Sequence, residues 1–319
     1  MTIPSVSIVI PTYNRNEKLN QLLRSIVGAE PTPEFEVIVV DDSEQESVVD
    51  PGVQTVLADR LQIIKNPKRT FISRAKNIGW KQASGEYVFF VDDDNVLPKE
   101  TMELLKSKLD TSPSIGALMP VVYYEKRRNF VWVYAAPFAT GRWKFNLLGR
   151  NTVETTKPKQ ELLPTDALPN ASMIRRSVLE LVGGLDETLP INSSCDLCQR
   201  IKRTGLEVFA LTEAPIYHDV TVPGTLGYWA EHAAEDSARR YYEVRDWFDL
   251  MSRLHEGERL LVLKQFLRSM QFMLPVGAGV LVHPTRKKQP LFSIYILMLR
   301  GLRDGIRASA SPKKIIRAA

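Results

Sequence analysis

Val88-Phe89-Phe90-Val91-Asp92-Asp93-Asp94-Asn95 decides the fold. Four apolar residues in a row read as a strand buried on both faces. Three acids then close it without a break. Adjacent carboxylates at a strand tip repel one another, and a cation relieves the repulsion. Hard divalent ions take oxygen ligands and usually bind one or two carboxylates together with substrate phosphates. A solvated acidic turn ahead of Pro98 fits the same run, and Asp-Asp-Asp alone does not choose between the two.

Two other strands end in the same way. Val6-Ser7-Ile8-Val9-Ile10 closes in Pro11-Thr12-Tyr13-Asn14-Arg15, and Phe35-Glu36-Val37-Ile38-Val39-Val40 closes in Asp41-Asp42-Ser43. Between them, from Glu17 to Val27, Leu19, Leu22, Leu23 and Ile26 recur at helical spacing. This is a strand–helix–strand unit with a parallel sheet, the mark of an α/β fold. Ligands of open α/β sheets bind beyond the carboxyl ends of the strands. Here those ends hold Tyr13, Asp42 and Asp92 to Asp94. The set suits a base, a ribose or uracil edge, and a metal-bound diphosphate. Neither Gly-x-Gly-x-x-Gly nor a Walker loop is present, which disfavours the dinucleotide and P-loop solutions.

These residues resemble the family-two glycosyltransferases of GT-A fold. The opening Val6 to Arg15 and the run Glu36 to Ser43 are similar to that family's first two strands. Ala75-Lys76-Asn77-Ile78-Gly79 and Ala83-Ser84-Gly85-Glu86-Tyr87 resemble the lead into its Asp-x-Asp strand. Gly183-Gly184-Leu185-Asp186-Glu187 and Asp196-Leu197-Cys198-Gln199-Arg200 resemble its acceptor-side block, and Ile216-Tyr217-His218-Asp219 the end of its catalytic domain. The resemblance runs from Ser5 to Asp219. It implies a GT-A (Rossmann-like) mixed sheet flanked by helices, with a C-terminal helical appendage. The expected domains are a catalytic 1–222 and a helical, basic 223–319.

The resemblance also implies a chemistry. A nucleotide-diphosphate sugar arrives with its leaving group attached, and a divalent ion, Mn²⁺ or Mg²⁺, neutralises the diphosphate as a Lewis acid. Asp94 is the implied direct ligand, with Asp92 toward the ribose or metal and Asp93 beside them. His218 is either a second metal ligand or a core histidine. Pro11, Tyr13 and Asp42 would line the nucleotide. Lys76 would face phosphate, or else sit idle on an exposed helix. The family's acid two residues before the final Asp is replaced here, since Ser193 and Ser194 occupy those positions. Asp196 is the acid left to serve as catalytic base. Its other role is to cap a helix over Leu197 to Lys202.

The expected function is therefore an inverting transfer to a hydroxyl of a glycan or lipid-linked acceptor. Three alternatives stay open. One is transfer to a polyprenyl phosphate, whose ionised oxygen needs no base. The others are a nucleotidyltransferase and a nucleotide-sugar-binding protein that has lost catalysis.

Composition bounds the setting. The chain has 319 residues, 44% hydrophobic and 25% charged, ordinary for a globular protein. Met1 to Pro4 lead straight into the first strand, so no cleavable signal is expected, and a cytoplasmic location is. Cys195 and Cys198 are the only cysteines, which excludes a disulfide framework and a four-cysteine zinc site. They read as packed, reduced thiols.

The net charge of +5 conceals a division. His283 to Ala319 carries nine Lys or Arg against one acid, a net +8, while the rest has 33 basic and 36 acidic residues, a net −3. From Leu291 to Arg307, Arg300, Arg303 and Arg307 recur at near-helical spacing. Leu291, Ile294, Tyr295, Met298, Leu299, Leu302 and Ile306 can line another face. Such a helix lies on an anionic membrane surface, making the protein peripheral on the cytoplasmic face, or packs on the protein. Nucleic acid is not an expected partner, since basic and aromatic residues do not interleave there. The apolar run Leu260 to Val282 is interrupted by Lys264, Arg268 and Pro275. Its uncharged part, Ser269 to Val282, is too short for a hydrocarbon core of about 30 Å.

Overall fold

The computed structural model describes residues 4–29, 34–139, 144–223, 241–242, 244–247, 249–250 and 291–310. They divide into two compact units. The first holds the described residues up to Glu187 together with Ser193–Val220; the second holds Thr188–Asn192 and the described residues from Thr221 onward.

The first unit is built on a mixed sheet flanked by helices, as expected. β1 (Val6–Thr12), α1 (Asn16–Ala29), β2 (Phe35–Asp41), α2 (Pro51–Leu57), β3 (Leu61–Lys65), α3 (Phe71–Gln82) and β4 (Tyr87–Val91) form its parallel half, with strands in the order β4-β1-β2-β3. Every residue of β1 and β4 is buried, which is why both read as unbroken apolar runs. Ser7 interrupts the run within β1, and it is satisfied: its hydroxyl donates to Glu36 Oε1 (2.6 Å) and accepts from the Gly85 amide (2.9 Å). At the edge, β3 has no buried residue: Leu61, Ile63 and Ile64 are half-buried and Gln62 and Lys65 exposed.

One glycine sets how closely α3 lies on the sheet. A Cβ at Gly79 would fall 2.3 Å from Val9 Cγ1 and 3.2 Å from Val40 Cγ2. Only a residue without a side chain permits that approach. Two residues earlier, the buried Asn77 clamps the chain at Leu185: its amide donates to the Leu185 carbonyl (2.8 Å) and its oxygen accepts from the Leu185 amide (2.9 Å).

The other half is largely antiparallel. After β5 (Asn95–Val96) and α4 (Thr101–Thr111) come β6 (Ile115–Tyr124), β7 (Arg127–Val133), β8 (Phe138–Ala139), β9 (Lys144–Phe145), β10 (Thr152–Val153), β11 (Leu162–Pro164) and β12 (Ala171–Arg175). α5 (Arg176–Val182), α6 (Ser193–Arg203) and β13 (Glu207–His218) complete the unit. β12 pairs antiparallel with both β4 and β6, and so joins the halves. β13 runs parallel to β6 with a register shift between Leu211 and Pro215, a bulge that accommodates a residue with no amide proton. The strand thus runs on to His218. There it lies opposite Tyr124 on β6 and Asn95 on β5, and the Asp219 amide donates to the Asp94 carbonyl (2.8 Å). The segment Pro120 to Asn170, weakly patterned in sequence, supplies the second half of β6 and all of β7, β8, β9, β10 and β11.

In the second unit, the helix Leu291–Ala310 covers the expected Leu291 to Arg307. A Cβ on Gly301 would come 2.6 Å from the Tyr241 carbonyl, and the Tyr241 hydroxyl donates to Asp304 (2.9 Å). The single apolar face expected here is split. Leu302 is buried, whereas Leu299 and Ile306 are exposed among the equally exposed Arg300, Arg303 and Arg307. Among the described residues, no helix is long and apolar enough to cross a membrane. The run 260–282 lies outside them.

Candidate functional site

The three acids leave the end of β4 in three different environments. Asp93 turns inward. Its carboxylate accepts from Thr12 Oγ1 (2.7 Å) and from Arg15 Nη1 (3.1 Å). Burial, and then the charge of Asp94, push its pKa up to about 7 against the pull of Arg15. Asp94 shares the same guanidinium, with Arg15 Nη1 2.7 Å from its Oδ2. Burial opposes its ionisation, but His218 and Arg15 outweigh burial and hold its carboxyl well below the usual range. Asp92 is the most open of the three and meets Lys76 Nζ at 2.9 Å. Lys76 is itself buried, so the expectation of an idle, exposed helix lysine is corrected.

His218 reaches the cluster from the end of β13. Its Nε2 lies 3.3 Å from Asp94 Oδ1, just outside the usual hydrogen-bond range. Trp132 of β7 meets the imidazole edge to face, with centroids 5.1 Å apart and planes at 86°. Asp219, next in the chain, forms a close ion pair with Lys18 of α1. Asp94 Oδ1, His218 Nδ1 and Asp219 Oδ1 are all buried without a hydrogen-bond partner. Buried polar atoms are normally satisfied, and an orphan asks for a reason.

The nucleotide-side residues stand at the neighbouring strand ends. Pro11 is a buried residue of β1 opposite Val40. The Tyr13 ring carries the Arg69 guanidinium on its face, 3.9 Å from the centroid. Asp42 is buried and accepts from Asn66 Nδ2 (2.6 Å), the Thr70 amide (2.7 Å) and Thr70 Oγ1 (2.9 Å). It therefore ties the loop before α3 to the end of β2.

Asp196 differs from its expected setting. α6 begins at Ser193, not Leu197, so Asp196 lies inside the first turn and is not the cap. Its carboxylate meets Arg200 Nε at 2.8 Å, one helical turn on. Ser193 bonds Ser73 of α3, Oγ to Oγ at 2.7 Å. Cys195 and Cys198 are free and buried, and burial pushes both thiols up.

Sequence reasoning missed Arg15, Thr12 and Lys18 as parts of this site, and the contact of Trp132 with His218. Arg15 and Thr12 stood in the quoted first motif, but nothing in a linear pattern links them to carboxylates some eighty residues later. Trp132 lay in the unpatterned middle of the chain.

Among the described residues, no three His, Cys, Asp or Glu side chains gather into a ready metal cage. The site instead offers a pair, Asp94 Oδ1 and His218 Nε2. Adjacent ligands of an octahedral ion with bonds of about 2.1 Å sit roughly 3 Å apart, close to the separation found. The carboxylate oxygen suits Mg²⁺ or Mn²⁺ completed by phosphate oxygens and water, and the imidazole nitrogen favours Mn²⁺ of the two.

The sequence matches the family described as Glycosyl transferase family 2 over residues 7–183. It is 30% identical over 111 residues to an uncharacterized glycosyltransferase of Haemophilus influenzae, covering 35% of this chain and 36% of that one. It is 33% identical over 101 residues to the poly(ribitol-phosphate) beta-N-acetylglucosaminyltransferase TarS of Staphylococcus aureus, covering 30% of this chain and 17% of that one. The matched stretch thus spans about a third or less of the length of these relatives. The mannosyltransferase PcManGT from Pyrobaculum calidifontis, solved with GDP-Man and Mn²⁺, superposes with a TM-score of 0.51 at 16% identity, covering 98% of this chain and 77% of that one. That likeness shows the fold. The family match takes in both the parallel half of the sheet and the acids at its strand ends, so the chain belongs to glycosyl transferase family 2 and has the GT-A fold.

Proposed function

We propose that the protein is a metal-dependent, inverting glycosyltransferase. It moves a sugar from a nucleotide-diphosphate donor to a hydroxyl of a glycan or lipid-linked acceptor. The observation that carries this reading is the orphaned, buried Asp94 Oδ1 at the strand ends, with His218 Nε2 3.3 Å away. A divalent ion bound there supplies Lewis-acid neutralisation of the leaving diphosphate. The solved relative that holds GDP-Man and Mn²⁺ supports the choice of ion and donor class.

The chain's own residues divide the remaining work. Asp94 and His218 hold the ion. Trp132 fixes the tilt of the imidazole. Thr12 and Arg15 keep Asp93 in place beneath it. Arg15 and Lys76 put two positive charges where a departing diphosphate gathers negative charge, the arrangement that stabilises a transition state most. Pro11, Tyr13 and Asp42 shape the nucleotide end. Asp196 takes the proton of the acceptor hydroxyl after releasing Arg200.

That last step has a rival. Because Asp196 is already engaged by Arg200, an acceptor whose oxygen is ionised beforehand, a polyprenyl phosphate, fits the same residues without a base. Asp196→Asn separates the two: a general base is worth about 10²–10⁴-fold in turnover, and a loss below tenfold favours the phosphate.

The donor reading is tested by thermal shift with UDP-, GDP- and dTDP-sugars, with and without Mn²⁺. A ligand at 100 times its Kd adds about 2.7 kcal/mol of stability. A shift for one nucleotide that requires the metal is expected. Equal shifts in the presence of a chelator would remove the metal from the proposal.

A further inference from the structure

The hairpin that carries Trp132 holds cations with no counter-charge. Arg150 lies over the Trp132 ring, 5.0 Å from its centroid, and Trp132 in turn abuts His218. Arg127 lies over Phe130, 4.5 Å from its centroid, and Phe130 packs at 5.4 Å on Tyr124, the residue opposite His218. The Tyr124 hydroxyl donates to Asn151 (2.6 Å), which fixes the turn beside Arg150. Among the described residues, neither Arg127 nor Arg150 has a carboxylate partner. Arg128, next to Arg127 on the strand, is held by Glu125 at 2.7 Å and shows the alternative. Two guanidinium groups, each flattened on an aromatic ring, therefore line a path that starts at His218. A stacked guanidinium keeps its in-plane donors free, and those match phosphate or carboxylate oxygens.

We propose that this face of β6 and β7 is the acceptor subsite, and that the acceptor is anionic. It is a glycan or polyol chain carrying phosphate or carboxylate groups, read by Arg127 and Arg150. This rests on the transferase reading above, which puts the reacting centre beside His218. The aromatic rings offer a surface to the apolar side of the chain, and the arginines select for its charge. Each side chain stands outside the donor contacts already described, so donor and acceptor binding are separable.

The test uses the full-length protein, with Mn²⁺ and the nucleotide chosen by the thermal screen. Three fluorescent oligomers of equal length are titrated: a glycerol-phosphate oligomer, an oligogalacturonate and a maltooligosaccharide. At least one anionic oligomer should bind, more weakly as salt is added. Arg127→Gln with Arg150→Gln should lower that affinity by roughly tenfold or more per arginine, the loss of a charge-assisted contact, with nucleotide binding retained. Arg150→Lys should fall between the wild type and Arg150→Gln. The preferred oligomer tells phosphate from carboxylate. Tighter or equal binding of the neutral oligomer, binding of neither anionic one, or unchanged affinity in the double variant overturns the proposal. So does loss of nucleotide binding in the double variant, which would assign the arginines to the donor. Failure of the wild type to bind any nucleotide would instead sink the transferase reading itself.

Discussion

Asp94 has two oxygens with different duties. Oδ2 is committed to Arg15, and Oδ1 faces His218 with no hydrogen bond. Asp94→Asn keeps the shape and removes the charge. It should leave the far-ultraviolet dichroism unchanged and cancel the Mn²⁺-dependent part of donor affinity, a loss of about 1.5–3 kcal/mol if it matches one charged contact. Titration calorimetry with and without Mn²⁺ reads it directly. A different acid governs stability against pH. Asp41 is wholly buried and accepts from the amides of Ser43 and Ser47, both at 2.8 Å. Burial raises its pKa, but these hydrogen bonds and Lys65 prevail and lower it. A carboxyl depressed in the folded state stabilises the protein above its unfolded value near 3.9, and the contribution is lost as pH falls through the folded value. Asparagine presents one acceptor where two amides donate. Asp41→Asn should therefore cost about 1–3 kcal/mol at neutral pH. In urea melts the gap from wild type should begin to narrow below about pH 4 and go on shrinking as the pH falls further; a gap that does not narrow at all on acidification would contradict the assignment.

At the scale of elements, α3 is the part most exposed to a single change. Gly79→Ala drives a methyl into Val9 and must lift the helix from the sheet. Overpacking of this kind costs about 1–3 kcal/mol. Because Lys76 rides on the same helix, donor affinity should fall along with the denaturation midpoint. A variant that is destabilised but binds donor normally would uncouple the two. β1, β2 and β4 of the parallel half were legible in sequence because they are largely buried on both faces and end in polar residues at one edge, whereas the half-exposed β3 was not. α1 was legible from Leu19, Leu22, Leu23 and Ile26. The antiparallel half was not. β7 opens with Arg127, Arg128 and Asn129, and β6 and β13 contain Pro120 and Pro215, so each breaks the pattern a strand should show. The same blindness hid the contact of Trp132 with His218. The contacts of Arg15 with Asp93 and Asp94 were invisible for another reason: they join β1 to β4 across the sheet, and periodicity reports only neighbours along the chain.

For the molecule as a whole, charge is unevenly spread, −3 on the body and +8 on the last stretch. The helix Leu291–Ala310 leaves Arg300, Arg303 and Arg307 exposed, with the exposed Leu299 and Ile306 along one flank of them. Cations beside exposed apolar side chains are the surface an anionic bilayer attracts. Full-length protein is expected to sediment with vesicles rich in anionic lipid at low salt. Replacing the three arginines by Glu should release it, and so should raising salt until the Debye length is only about 3 Å. Binding that ignores both changes would mean the helix serves packing alone.

The close approach of Gly79 and the Asn77 clamp also bear on how a stretch such as Ala75 to Gly79 should be interpreted elsewhere. Asn77 grips the backbone of Leu185, and Gly79 lets a helix settle on Val9; neither touches a reacting atom. A descendant that had abandoned transfer altogether would still need both to fold. Of the five residues, Lys76 is the one whose side chain meets the acids at the strand end. Genome surveys that count active members by the presence of this stretch would enrol silent ones. A sounder census would look at the lysine, at the third acid of Asp92 to Asp94, and at a histidine arriving from the far end of the sheet.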